Sequence, residues 1–196
     1  AIHAIGDYAC GAVIDMFTEL IAAGADARRL RIEHASVLTA TDIDRLGQLG
    51  VIAVVQPPFL GSEADWLEDR LGEDRIKRTY AFAAMEKAGA ILAGSSDSPV
   101  EPPDPWAGMA LAQDRAGLAP TQAISAARAL AMYTSGAATA LGEREPLAVG
   151  SPADFIIVDR DPGTVSPDEL RQTEVSATYV DGVELEVDRS APLWLD

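Results

Sequence analysis

Four short apolar runs, each breaking off at polar residues and each separated from the next by a segment of helical length, constrain this chain more than any other feature of its sequence. Ala1-Ile2-His3 reads as the end of a strand, and Gly6-Asp7 follows as a turn or helix start. Over residues 8–23 the spacing places Ala9, Val13, Ile14, Phe17, Leu20 and Ile21 on one helical face, with Gly24 as the stop. The unit then recurs. Residues 30–33 form a strand ending at His34, and Thr41, Asp42 and Asp44 open a helix that closes near Gly47 or Gly50. The β-branched run 51–55 has the composition of a strand buried on both faces and is closed by Gln56-Pro57-Pro58. A longer connection over 59–72 leads to a helix expected over 74–87. The fourth run, 90–93, ends in Gly94-Ser95-Ser96-Asp97-Ser98-Pro99, and helical patterns resume over 106–115 and 121–141.

Strands alternating with helices argue for an α/β chain with a parallel sheet. The second half of a (β/α)₈ barrel would show four strands with polar residues at their C-terminal ends. A doubly wound sheet places function on the same edge, so periodicity leaves both arrangements open. Composition changes near Leu147, which divides the chain into a first unit over 1–146 and a small β unit over 147–196. In the second unit Gly150-Ser151-Pro152-Ala153 is a turn and 154–158 a strand. Asp181-Gly182 is a hairpin turn between Thr178-Tyr179-Val180 and the strand carrying Val183, Leu185 and Val187. No helix is expected there.

The chain contains two histidines, His3 and His34, and both fall at expected strand ends. A single histidine in such a place is usually structural, but two in equivalent places on neighbouring parallel strands, about 4.8 Å apart, can converge on one ion. Asp97 offers a carboxylate at the same rim, and two imidazoles with a carboxylate suit zinc or another borderline divalent ion. The lone Cys10 excludes a disulfide and a cysteine-based zinc site, and suits a cytoplasmic location. Acidic residues outnumber basic ones 31 to 15, and a net charge of −16 repels phosphate backbones, which argues against a nucleic-acid partner. The same excess also suits a solvated acidic surface or adaptation to high salt. No apolar stretch reaches the about 18 residues of a membrane span, so no membrane partner is expected.

His3-Ala4-Ile5-Gly6-Asp7, Arg31-Ile32-Glu33-His34-Ala35, Gln56-Pro57, Leu71-Gly72-Glu73-Asp74-Arg75 and Ser96-Asp97-Ser98-Pro99-Val100 occur in order over almost the whole chain. Together with Gly150-Ser151-Pro152-Ala153-Asp154-Phe155 they resemble the YtcJ-type branch of the amidohydrolase superfamily, amidohydrolase family 3. The resemblance implies that the chain holds strands five to eight of a (β/α)₈ barrel and part of a small β-sandwich built from both chain ends. It further implies that His3 and His34 are metal ligands at the ends of strands five and six. Asp97 becomes the strand-eight aspartate, at once ligand and the base that takes a proton from the attacking water. The implied reaction is hydrolysis of an amide or formamide-like C–N bond in a small molecule. Gln56, Arg75 and Tyr80 follow strand seven, where barrel loops build a substrate pocket.

The family's strand-one His-x-His pair and its strand-four lysine or glutamate are not in this sequence, and Lys77 and Lys87 lie in an expected helix. The chain is therefore expected to be a C-terminal piece, inactive alone, that needs the missing N-terminal half or another copy to cover its open strand edges. Strand alternation points Glu33 away from the rim, toward a salt bridge or a supporting contact to His34. Trp66 and Trp106 are expected to pack under a loop. A non-catalytic regulatory or binding protein on the same fold is the competing reading.

Overall fold

The computed structural model describes residues 1–186, so Val187 of the expected hairpin lies outside the described residues. A four-stranded sheet has the order β1 (Ile2–Ala4), β2 (Arg31–His34), β3 (Ile52–Val55), β4 (Ile91–Gly94). All three pairings are parallel, with Ala4 opposite His34, Glu33 opposite Val54 and Val54 opposite Ala93. The order is sequential, without the reversal of a doubly wound sheet.

Helices connect the strands. Helix α1 (Asp7–Ala22) buries Cys10, Val13, Ile14 and Phe17. The expected face is therefore shifted: Cys10 takes the inward place given to Ala9, and Leu20 is exposed. Helix α2 (Ala40–Leu49) is capped by Thr39, whose hydroxyl accepts from the Asp42 amide, and it stops at Gly50 in the left-handed conformation. One face of the sheet, carrying Ala4, Ile32, Ala53 and Val55, joins the helices in the main core. On the opposite face Ile52, Val54 and Ala93 pack together with Ile91 and Ala140. All of β3 is buried, as its β-branched composition requires.

Two helices expected to be continuous are broken. The connection after β3 contains α3 (Phe59–Glu63) and the start of α4 (Leu67–Ile76), and α5 (Phe82–Ala88) begins only after an interruption at 77–81. Arg115 holds the interrupted segment, where the Tyr80 amide also donates to the Ser36 carbonyl. Arg115 is 1% exposed, its Nη1 and Nη2 donate to the Tyr80 and Thr79 carbonyls, and its Nε donates to the Leu118 and Ala119 carbonyls. After α6 (Pro105–Asp114), the expected helix over 121–141 is two, α7 (Ala126–Tyr133) and α8 (Ser135–Leu141), separated at Thr134 by φ −122° and ψ −93°.

The tail forms its own antiparallel sheet, β5 (Phe155–Val158), β6 (Val175–Val180) and β7 (Val183–Glu184), and does not extend the parallel one. It does contain a helix, the single turn α9 (Pro167–Leu170), fixed by a reciprocal capping box between Ser166 and Glu169. A concavity of about 970 Å³ separates Trp106 from β6 and β7. Trp66 is 42% exposed, with the Arg70 guanidinium over its ring. Among the described residues no helix is long and apolar enough to cross a membrane.

Tyr133 locks α7 and α6 against the end of β4. A Cβ at Gly94 would collide with its ring and one at Gly108 with its hydroxyl, while that hydroxyl is buried without a hydrogen-bond partner. Gly94→Ala and Gly108→Ala are each expected to cost about 1–3 kcal/mol through overpacking. Tyr133→Phe, which removes the unsatisfied group, is expected to leave stability equal or higher. Urea unfolding of the three variants checks both expectations.

Candidate metal centre

In a parallel sheet, residues in register point to the same side. Pairing of His3 with Glu33 and of Ala4 with His34 therefore assigns the two histidines to opposite faces. The backbone at the end of β2 reverses this. His34 has φ +73° and Ala35 φ +47°, so the chain leaves the extended conformation at the histidine itself, and the two imidazoles meet edge to face with centroids 4.4 Å apart. Hydrogen bonds from the Ala35 amide to the Ala4 carbonyl and from the Val37 amide to the Ile5 carbonyl hold the two strand ends together beyond the regular ladder. Left-handed backbone at a non-glycine residue costs on the order of 1–3 kcal/mol and persists only where the surroundings over-determine it.

Asp97 shares that conformation, with φ +57°. Its amide donates to Ser95 Oγ and its carbonyl accepts from the Val100 amide, a local turn that carries the carboxylate back over the rim. Asp97 Oδ2 lies 3.9 Å from His34 Nε2. That is too long for a hydrogen bond. Two ligand atoms around a tetrahedral ion stand about 3.3 Å apart, given bonds of 2.0–2.2 Å.

His34 is 6% exposed and also stacks on Phe59, with centroids 6.2 Å apart. Burial, followed by the neighbouring His3, holds its pKa below the usual imidazole range, against the opposing pull of Asp97, Glu33 and Gln56. The ring is thus kept neutral, the form a metal ligand needs. His3 is exposed and Asp97 half-exposed, so the three donors run from a buried centre outward. They fit a divalent ion in type, and His34 lies near both His3 and Asp97, but the three do not form a closed cage. Among the described residues no three His, Cys, Asp or Glu side chains gather tightly enough to hold an ion by themselves.

The residues expected to touch substrate are distributed differently. Gln56 is 2% exposed, its amide nitrogen donating to the Val54 carbonyl and its side chain acting on His34 as a hydrogen-bonding neighbour. Tyr80, also 2% exposed and at φ +48°, donates its hydroxyl to Glu63 Oε2 at 2.7 Å. Burial pushes the Tyr80 phenol and the Glu63 carboxyl both upward. Arg75 is surface-exposed and donates to Asp7 Oδ2 at 3.1 Å, beside Arg78 at 3.3 Å, and its hydrogen bond is the main reason that the Asp7 carboxyl sits below its usual range. Glu33 makes a salt bridge to Arg31, with 2.8 Å between Nε and Oε1. The Glu63–Tyr80 pair and the Asp7 clamp were not visible in sequence, because each joins segments distant in the chain whose meeting is set by tertiary structure.

The sequence profile of the amidohydrolase family matches residues 1–185. The chain is 31% identical over 193 residues to "Putative amidohydrolase YtcJ" of Bacillus subtilis, covering 93% of this chain and 36% of that protein. It is also 31% identical over 193 residues to "N-substituted formamide deformylase" of Arthrobacter pascens, covering 93% of this chain and 35% of that protein. Among solved structures, an uncharacterized metal-dependent hydrolase from Pyrococcus furiosus superposes with a TM-score of 0.73 at 36% identity, over 83% of this chain and 33% of that one. The chain spans about a third of the length of these relatives. With the ordered motifs, the parallel sheet and the histidine-bearing rim all matched by that profile over nearly the full length, the chain belongs to the amidohydrolase family.

Proposed function

We propose that this chain is the C-terminal part of a metal-dependent hydrolase that cleaves amide or formamide-like C–N bonds in small molecules. Its sheet is strands five to eight of a (β/α)₈ barrel. The observation that carries the reading is the left-handed backbone at His34 and Asp97, which brings the two side chains to 3.9 Å from one another at one rim. The similarity to a formamide deformylase supports the C–N bond as the target.

His3, His34 and Asp97 are the donors for a divalent ion, with zinc favoured by the mix of nitrogen and oxygen ligands. Such an ion supplies Lewis-acid polarisation of a carbonyl and lowers the pKa of water to about 7. His34, buried and neutral, offers a lone pair without competing protonation. Asp97, the more exposed carboxylate, accepts the proton from the attacking water and returns it to the leaving nitrogen. Tyr80 and Arg75 belong to the segment that frames the substrate side of the rim, and Gln56 lies beneath it.

Hydrolysis of a panel of formamides and amides by the complete protein tests this reading. Activity that is lost on chelation and restored by zinc is expected. Metal-independent activity, or none with bound metal present, would overturn it in favour of a binding protein on this fold. Residues 1–196 alone are expected to associate and to be inactive. Among the described residues β1 and β4 are paired on one side only. Tyr8, Met16 and Leu20 of α1 and Phe155, Ile156 and Ile157 of β5 are exposed, so strand edges and apolar surface both await a partner. Sedimentation velocity reads this directly: a cooperatively melting monomer would contradict the half-barrel reading.

A further inference from the structure

Two polar atoms at the rim are buried without a hydrogen-bond partner, His34 Nδ1 and Gln56 Oε1. They belong to neighbouring strand ends: Glu33 is in register with Val54, so Gln56, two residues beyond Val54, stands level with the turn at His34–Ala35. The Gln56 side chain acts on His34 as a hydrogen-bonding neighbour. Its orientation is fixed by its other end, since only the NH₂ group can donate to the Val54 carbonyl, and this turns Oε1 away from that carbonyl. A neutral imidazole carries one N–H and one bare nitrogen. The nitrogen facing Asp97 is Nε2, 3.9 Å from Oδ2.

From this placement we infer that Gln56 is a positioning residue for His34: its carbonyl oxygen accepts the Nδ1 proton, which leaves Nε2 bare toward the metal position. The reading rests on the metal site proposed above and deepens it. An unpaired buried acceptor is costly, and so is an unpaired buried donor, and pairing the two satisfies both groups at once. The hydrogen bond made by the nitrogen distal to a metal decides which nitrogen binds, and it sets the orientation of the ring. Gln56 then acts through His34 and does not touch substrate, in keeping with its burial.

The test compares Gln56→Met, which keeps volume and removes the acceptor, with Gln56→Glu, which keeps an acceptor. Zinc affinity of the complete protein is measured by chelator competition, and the His34 tautomer of the metal-free protein by ¹⁵N NMR of labelled histidine, with His34→Asn assigning the signal. Gln56→Met is expected to weaken zinc binding about 10–100-fold, the usual loss when such a supporting contact is removed. Gln56→Glu is expected to stay within about threefold of wild type by the same argument, and the wild-type His34 proton is expected on Nδ1. Equal zinc affinity in wild type and Gln56→Met, an equal loss in both variants, or a proton on Nε2 would overturn the inference while leaving the metal site standing. A wild-type protein that binds no zinc would overturn both.

Discussion

Asp97→Asn is expected to lower hydrolytic turnover by about 10²–10⁴-fold, the usual contribution of a positioned general base. Asparagine is nearly isosteric and tolerates the left-handed backbone that Asp97 adopts at φ +57°. The carboxylate is half-exposed, and the neutral His34 ring lies 3.9 Å from it. Thermal stability should therefore change little. Rate constants and melting curves measured on the same preparation separate the two effects: a large loss of turnover without a loss of stability marks a residue retained for chemistry. If turnover and stability fell together, Asp97 would be structural.

The second large effect concerns Arg115, far from the rim in sequence yet bound to the segment that carries Tyr80. Its guanidinium, with no carboxylate partner among the described residues, donates to four carbonyls, those of Thr79, Tyr80, Leu118 and Ala119. Burial pulls its pKa down to about 10, so it remains charged at neutral pH. Arg115→Met removes every one of these bonds; the Tyr80 and Ala119 carbonyls keep the Phe82 and Gln122 amides as donors, while the Thr79 and Leu118 carbonyls lose the guanidinium, at about 1–3 kcal/mol each. A loss of about 2–6 kcal/mol is expected, a large fraction of the stability of a typical domain. Chemical denaturation checks the magnitude. A loss below about 1 kcal/mol, the scale of a surface change, would mean that water replaces the guanidinium.

The sequence made the parallel strands legible because their apolar, β-branched runs end abruptly at polar residues, and a strand buried on both faces has no other composition available to it. Val51-Ile52-Ala53-Val54-Val55 is the clearest case: β3 is buried throughout. The meeting of His34 with His3 was expected from their shared place at strand ends, but the means was hidden. Strict alternation separates the two rings, and only the positive φ at His34, which sequence does not encode in any local motif, turns one toward the other. The break at 77–81 was equally hidden, since the contacts that hold it come from distant residues, among them an arginine 35 residues from Tyr80. The tail helix is different. Ser166-Pro167-Asp168-Glu169 is a local capping-box signal, and the expectation of an all-β tail overlooked it.

The exposed apolar surface also differs from what an open half-barrel suggests. The inner face of β3 is covered within the chain, where Ile52 is 1% and Val54 8% exposed. Apolar exposure concentrates instead on α1 and the tail sheet, through Tyr8, Leu20, Ile156, Ile157 and Val183. Complementation is accordingly expected to depend more on these outer surfaces and on the free edges of β1 and β4 than on the lining of the barrel.

The central claim is that His3, His34 and Asp97 hold one divalent ion. A crystal structure of the complete protein grown with zinc, with anomalous data collected on both sides of the zinc absorption edge, tests it most directly. A peak within about 2.0–2.2 Å of one nitrogen of each histidine and one oxygen of Asp97 is expected. A zinc peak bound elsewhere, or a rim without one while the protein holds zinc at another place, would contradict it.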